Sequence, residues 1–552
     1  MISFETINYS YCWPTTSHLS FGGTILTIFT GYIVFEILFF FHYHRNLISF
    51  ANRICRSRPP APYRDYKNVG ERVKLMSRIL DRLEEHYELT KTSKEVTPKS
   101  EVYYNFIQSW FCKKKDKDVK YERFSEQLDL TTLDVGLCPP LSLSSYSFGA
   151  MSVSDDDGLS SSDSLPQLVH NSKKRNNTYP GVLCRENMDE FLTWAFFGVD
   201  LATVESDTEM KEALEHFYKV LDSKAGLQFG PGRNAHFTPR WFTFEEVRSL
   251  YRPYAVYAVI ALLQFFAKCV LYVIGFRQYT CEKGLSYWHR TATNPRHCDS
   301  PFLFFHGIAP GGYAFYLPMV LRGLLRGKSH QRDIFFFENK PISFSLCFEA
   351  LSEEDTVHGV LEAVNQHLDS VRANNLTLCG HSFGSFQLTW MINSPQLQRR
   401  IQTMVLVDPV SILLHEPDVV VNFLYARHQD GDDSYIEKPC TTLGKLVQFL
   451  HESKIRLVAS SELFVEHYLR RNFAWYNSEL WLDDIPTDVN VLVCLAKNDE
   501  ITNVKKIERE LLSKKRSNMH KIVWEDVGHA HCISNPDSWA EIRNAMSELE
   551  SQ

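Results

Sequence analysis

The chain has 552 residues, 44% hydrophobic and 23% charged, a globular composition that excludes a wholly disordered or fibrous protein. It is too long for one ordinary domain, and its net charge of −7 offers no global basic field, so nucleic acid is not expected as a partner. The 38 Phe and 25 Tyr point to apolar surfaces against something oily; the thirteen scattered Cys, without a CxxC pair, argue against a disulfide framework or a structural zinc site.

After a tail at 1–20, residues 21–41 (FGGTILTIFTGYIVFEILFFF) carry one charge, Glu36, and are long enough to span a bilayer as a helix. No Lys or Arg precedes this stretch, whereas Arg45, Arg53, Arg56 and Arg58 follow it. That polarity is the reverse of a cleavable signal peptide, so a single-pass anchor with the rest of the chain beginning on the cytosolic side is expected. Glu36 argues for the alternative, a buried helix, because a carboxylate in lipid is costly. Of the sequons at Asn8, Asn176 and Asn375, only Asn8 could then carry a glycan.

Residues 42–137 read as a charged helical region, with a helical period over Val73–Tyr87 and a lysine cluster at Lys113, Lys114, Lys115 and Lys117. A Ser-rich and acidic linker at 138–180 buries almost nothing and should be disordered. The region 181–284 resumes with an amphipathic helix from Arg185, offering Met188, Phe191, Leu192, Trp194 and Phe196 as core. Its second apolar stretch, 254–276, holds Gln264 and Lys268 four apart on one face. That pair suits an interfacial or packed helix better than a second span.

Beyond Pro301 short apolar runs alternate with helical stretches. Phe302–Phe305, Asp333–Phe337, Leu376–Cys379, Met404–Val407, Val489–Leu495 and His520–Trp524 read as strands. Val360–Val371, Phe383–Ile392, Val504–Leu512 and Pro536–Leu549 read as helices. The alternation predicts an α/β domain over 285–552 with a mostly parallel sheet flanked by helices, and reactive groups at the carboxyl ends of its strands.

One such end reads Gly380-His381-Ser382-Phe383-Gly384. A G-x-S-x-G between strand and helix holds its serine in a strained turn, and Gly380 and Gly384 remove side chains where the two elements come close. A serine hydroxyl needs a base, itself oriented by an acid. Asp499 follows one late strand and Gly528-His529 the next, giving the order Ser…Asp…His, each at a strand end. Asp408 competes for the acid and His531 for the base; the turn at Gly528-His529 favours His529.

With these residues the chain resembles the α/β-hydrolase superfamily of lipases, esterases and thioesterases, over about 285–552. The resemblance rests on His306-Gly307, GHSFG at 380–384, Asp499 and Gly528-His529. It implies that Ser382 attacks an acyl carbon, His529 relays the proton and Asp499 holds the imidazolium. The backbone N–H groups of Phe383 and Ile308 would form the oxyanion hole. Neither metal nor cofactor is implied.

Residues 409–486 exceed what the fold needs between two strands and read as an inserted helical cap with Phe473, Trp475, Tyr476 and Trp481. Most of these aromatics should pack the cap itself. A loose H-x4-D match at His428–Asp433 reads as a charged loop. The expected function is a membrane-bound serine hydrolase acting on hydrophobic, lipid-like esters or thioesters. Its rivals are an acyltransferase using the same serine and an inactive membrane scaffold.

Overall fold

A computed structural model describes residues 21–53, 69–90, 98–113, 182–293, 300–325, 332–425 and 459–550. Lys114, Lys115, Lys117, the Ser-rich segment 138–180, the His428–Asp433 match, Asn8 and Asn176 lie outside them.

Helix α1 (Phe21–His42) coincides with the first apolar stretch. Helices α2 (Val69–Thr90), α3 (Lys99–Ser109), α4 (Arg185–Phe197) and α5 (Thr208–Val220) follow, with strands β1 (Phe111–Lys113) and β2 (Phe237–Pro239) paired as an antiparallel ribbon. Helix α6 (Tyr254–Val273) takes the second apolar stretch and is long and apolar enough to cross a membrane by length and composition.

The main sheet has eight strands: β3 (Arg277–Thr280), β4 (Ser286–Arg290), β5 (Phe302–Phe305), β6 (Ile334–Phe337), β7 (Leu376–His381), β8 (Ile401–Val407), β9 (Asn490–Ala496) and β10 (Met519–Trp524). Their order is β10-β9-β8-β7-β5-β6-β4-β3. The six strands from β10 to β6 are parallel, and β4 and β3 add antiparallel at the far edge. The expected mostly parallel sheet is therefore present. It begins at Arg277, upstream of the expected boundary at 285, because the hairpin β3–β4 turns at Gly284 (φ 92°) and its first strand, RQYT, is too polar to read as buried.

Alternate residues of the central strands enter two cores, as a parallel sheet covered on both faces requires. Leu303, Phe305, Leu378 and Val493 face α7 (Glu353–His367), α8 (Gly384–Ile392) and the cap helix α9 (Leu463–Arg471). Phe302, Phe304, Cys379 and Cys494 face α11 (Pro536–Glu550) and the second half of α6. The helix expected at Val360–Val371 lies earlier. The Ser352 hydroxyl accepts the Asp355 N–H and caps it at Glu353, and it ends before a turn held by Asp369.

The N-terminal helices are built onto this domain. Arg82 of α2 is buried against Glu510 of α10 (Val504–Ser513) at 3.0 Å and reaches Asp483 at 2.6 Å. The Trp110 indole donates to the His415 carbonyl, and that of Trp475 to the Ala195 carbonyl.

Candidate active site

The parallel strands all end on one edge of the sheet. The chain leaves β5 to form β6 on one side and returns to form β7 on the other, so β5 and β7 flank a topological switch point, where crevices open in such sheets. Ser382 stands there, one residue past β7, with φ 52°. Its left-handed backbone is held by its own N–H donating to the Val407 carbonyl, and its carbonyl accepts from Ser385 N–H. A Cβ on Gly380 would come within 2.7 Å of the Gly384 carbonyl oxygen, and one on Gly384 would overlap the Phe305 carbonyl. A Cβ on Gly307, after β5, would stand 2.9 Å from that of Ser382. These glycines let two strands, a helix and a loop meet around one hydroxyl.

His529 Nε2 lies 2.8 Å from Ser382 Oγ, and His529 Nδ1 lies 2.7 Å from Asp499 Oδ2. Asp499 follows β9 and His529 follows β10, so three residues far apart in sequence converge over one sheet edge. The other Asp499 oxygen accepts the Ile501 and Thr502 N–H groups, and Glu500 accepts the His529 N–H. Burial alone would pull His529 down; the Asp499 carboxylate overrides it and holds the imidazole above its ordinary value. Conversely, burial would raise Asp499, but the adjacent imidazole and the backbone donors hold it low.

The two competitors sit elsewhere. His531 is exposed, its ring beside Asn535. Asp408, at the end of β8 with φ 44°, lies beneath the pair: its oxygens accept the N–H groups of Ala496 and Ala530, joining the end of β9 to the histidine loop. Burial pushes its carboxyl up, against the pull of His529.

Sequence reading did not single out Tyr316. Its buried hydroxyl accepts the Gly307 N–H at 2.8 Å and lies 2.7 Å from His381 Nδ1. Having one proton, it donates to His381; burial holds that imidazole well below its ordinary value, hence neutral. The remaining proton sits on Nε2, 3.8 Å from Asp408. With the Ala309 N–H bonded to the Ile342 carbonyl, the N–H groups on either side of Ile308 are both committed. No local pattern announces Tyr316, because its partners come from two other segments.

Among the described residues, ligand atoms of His381, Asp408 and Cys532 lie within 4.8 Å of one another. Both Asp408 oxygens already accept backbone N–H groups, and burial pushes the Cys532 thiol up, so this donor set suits hydrogen bonding rather than a metal.

Ser382, Phe383, His529 and Ile308 line a cavity of about 510 Å³. Its walls are Phe386, Val410, Leu414, Val420, Phe423 and Phe473 from core and cap, with Phe242 from the N-terminal region. Of the cap aromatics singled out, only Phe473 is among its lining residues. Trp481 stacks on His415, Trp475 packs on Phe196, and Tyr476 is buried.

No family model matches the chain, and no curated protein matches it. Solved structures similar to it include a membrane phospholipase A described as a bacterial virulence factor: 13% identity, 53% of this chain and 93% of that one, TM-score 0.36. The carboxylesterase CesB from Bacillus subtilis is 13% identical, with 53% and 98% covered and a TM-score of 0.33. An esterase from Thermogutta terrifontis is 15% identical, with 50% and 99% covered and a TM-score of 0.34.

Proposed function

We propose that the chain is a membrane-associated serine hydrolase of the α/β-hydrolase type, cleaving hydrophobic carboxylic esters or thioesters. The observation that carries this reading is the contact chain Ser382 Oγ–His529–Asp499, at 2.8 and 2.7 Å, on the floor of an apolar cavity. In the proposed reaction Ser382 Oγ attacks the acyl carbon as its proton passes to His529 Nε2. The carbonyl oxygen, now an oxyanion, is held by the N–H groups of Phe383 and Ile308. Because Gly307 and Ala309 spend theirs on Tyr316 and Ile342, Ile308 is the donor assigned in that loop. Collapse expels the alcohol or thiol, which takes the proton from His529. Water then repeats the sequence on the acyl-enzyme and releases the acid. An apolar wall favours an acyl chain, at about 0.8 kcal/mol per buried CH2. Membrane association rests on α1, with its apolar side chains Ile28, Phe29, Val34, Ile37, Leu38 and Phe41 exposed. The basic residues after α1 support a cytosolic hydrolase domain in this reading, on which Asn375 is expected to carry no glycan.

The test is labelling with a fluorophosphonate and hydrolysis of an ester series of increasing acyl length. Wild type should take the label and prefer long chains, and Ser382→Ala should do neither. A folded wild type that takes no label and cleaves no ester overturns the reading.

A further inference from the structure

Helix α6 inverts the usual pattern of a surface helix. Its buried stripe is Tyr257, Ile260, Ala267 and Leu271, spaced so that one face follows the domain along the whole helix. At mid-length the Tyr313 hydroxyl donates to the Gln264 carbonyl, and Gly311 is packed against Ile260 and Gln264. An ordinary helix lying on a domain turns charged residues outward. Here the outward face is Val256, Val259, Leu262, Leu263, Phe266 and Val273, all between 39 and 86% exposed, with no charge among them. The one basic side chain, Lys268, lies half-buried at the flank, near the Trp288 ring. A patch this long, about 30 Å at the helical rise, exceeds what scattered surface hydrophobics explain.

The base of α1 meets the start of α6. Glu36 accepts the N–H groups of Tyr254 and Ala255 at 3.1 and 3.0 Å, and the hydroxyls of Tyr251 and Tyr32. The carboxylate that looked misplaced in an apolar helix thus satisfies the first turn of a second one. Between Ile28 and Phe41 only Glu36 and Phe39 are partly covered, so α1 stands off the body while α6 lies along it. The segment gripped by α6 also borders the cavity: Pro310 and the exposed Phe315, on either side of Gly311, are lining residues.

We propose that α6 lies in the plane of a lipid bilayer, its outward face among the acyl chains, so that the cavity mouth at Phe315 meets the membrane and admits esters from it rather than from water. The occupant is hydrocarbon because the face offers no charge and, apart from the Cys269 thiol, no polar group to a protein partner, and because whatever surrounds α1 reaches α6 at Glu36. With its buried stripe packed on the domain along its full length, α6 is assigned to lie on the bilayer rather than to cross it. This deepens the hydrolase reading and rests on it for the substrate route, but not for the docking.

The test uses the full chain in vesicles of dioleoylphosphatidylcholine. A photoreactive benzoylphenylalanine in place of Leu262 or Phe266 should form a phospholipid adduct on illumination, and one in place of the exposed Val371 should not. Adducts to a second copy, or to another segment of the same chain, would assign the face to that occupant and overturn the proposal, as would equal lipid adducts at 371. In parallel, Leu263→Glu with Phe266→Glu should lower turnover of a long-chain ester embedded in the vesicles by roughly tenfold or more, leaving a short water-soluble ester unaffected. Equal effects on both esters, or none, overturn the entry route. A wild type that forms the lipid adduct yet cleaves no ester would sink the hydrolase reading and leave the docking standing.

Discussion

Asp499 Oδ2 lies 2.7 Å from His529 Nδ1, and that contact sets the protonation of the base. In the proposed reaction His529 acts when neutral, so the rate should rise with pH through its folded-state value, which the carboxylate holds above the ordinary histidine range. Asp499→Asn removes the largest upward pull and leaves burial, which acts downward, against the weaker pulls of Asp408 and Glu500. The rising limb should therefore move to lower pH, with kcat reduced about 10⁴-fold as the tautomer is lost. A pH–rate profile of the two proteins measures both. An unmoved limb would mean that Asp499 is not the partner of the base.

Asp408 bonds the backbone of the histidine loop rather than the imidazole. Asn tolerates its left-handed backbone but supplies only one carbonyl acceptor for two N–H groups. Asp408→Asn should cost about 1–3 kcal/mol of stability, from a buried N–H left unmatched, and far less rate than Asp499→Asn. Chemical denaturation alongside kcat separates the two acids; a rate loss as large as that at 499 would reverse their roles.

Tyr316→Phe keeps the ring and deletes the hydroxyl shared by Gly307 and His381. The loop carrying Ile308 then loses an anchor. The expected loss in kcat falls short of the 10²–10³-fold typical of deleting an oxyanion donor outright. KM should stay near wild type, because the ring still fills its place. Steady-state kinetics on a soluble ester would decide this, and an unchanged kcat would remove Tyr316 from the positioning of that loop.

Arg82 belongs to a helix remote in sequence from the domain of the main sheet, yet it is buried against Glu510. Arg82→Ala strands that carboxylate with His86 as its remaining partner, at a cost of about 3 kcal/mol. The nearby Arg78→Ala breaks a half-exposed pair with Asp484 and should cost no more than about 1 kcal/mol. The shift in denaturation midpoint compares them. Equal small effects would mean that α2 merely rests on the domain.

Local pattern carried much of this protein. Runs such as FLFF and MVLV, alternating with helical stretches, read as strands covered on both faces, since four consecutive apolar side chains of a strand alternate sides and need two cores. The pentapeptide at 380–384 required a tight turn because only glycine spares a Cβ at those two approaches. The apolar helices at 21 and 254 followed from long hydrophobic runs broken only by Glu36 in the first and by Gln264 and Lys268 in the second. What no local pattern could supply was partnership between distant segments. Whether Asp408 or Asp499 faces the imidazole depends on loop paths after adjacent strands, differing by a few ångströms. Tyr316 acquires its role from Gly307 and His381, Glu36 from a helix more than two hundred residues away, and the cavity wall from Phe242. Spacing along a chain encodes periodicity, and hence which face of an element is covered. It does not encode which other element does the covering; packing the whole chain around its sheet settles that.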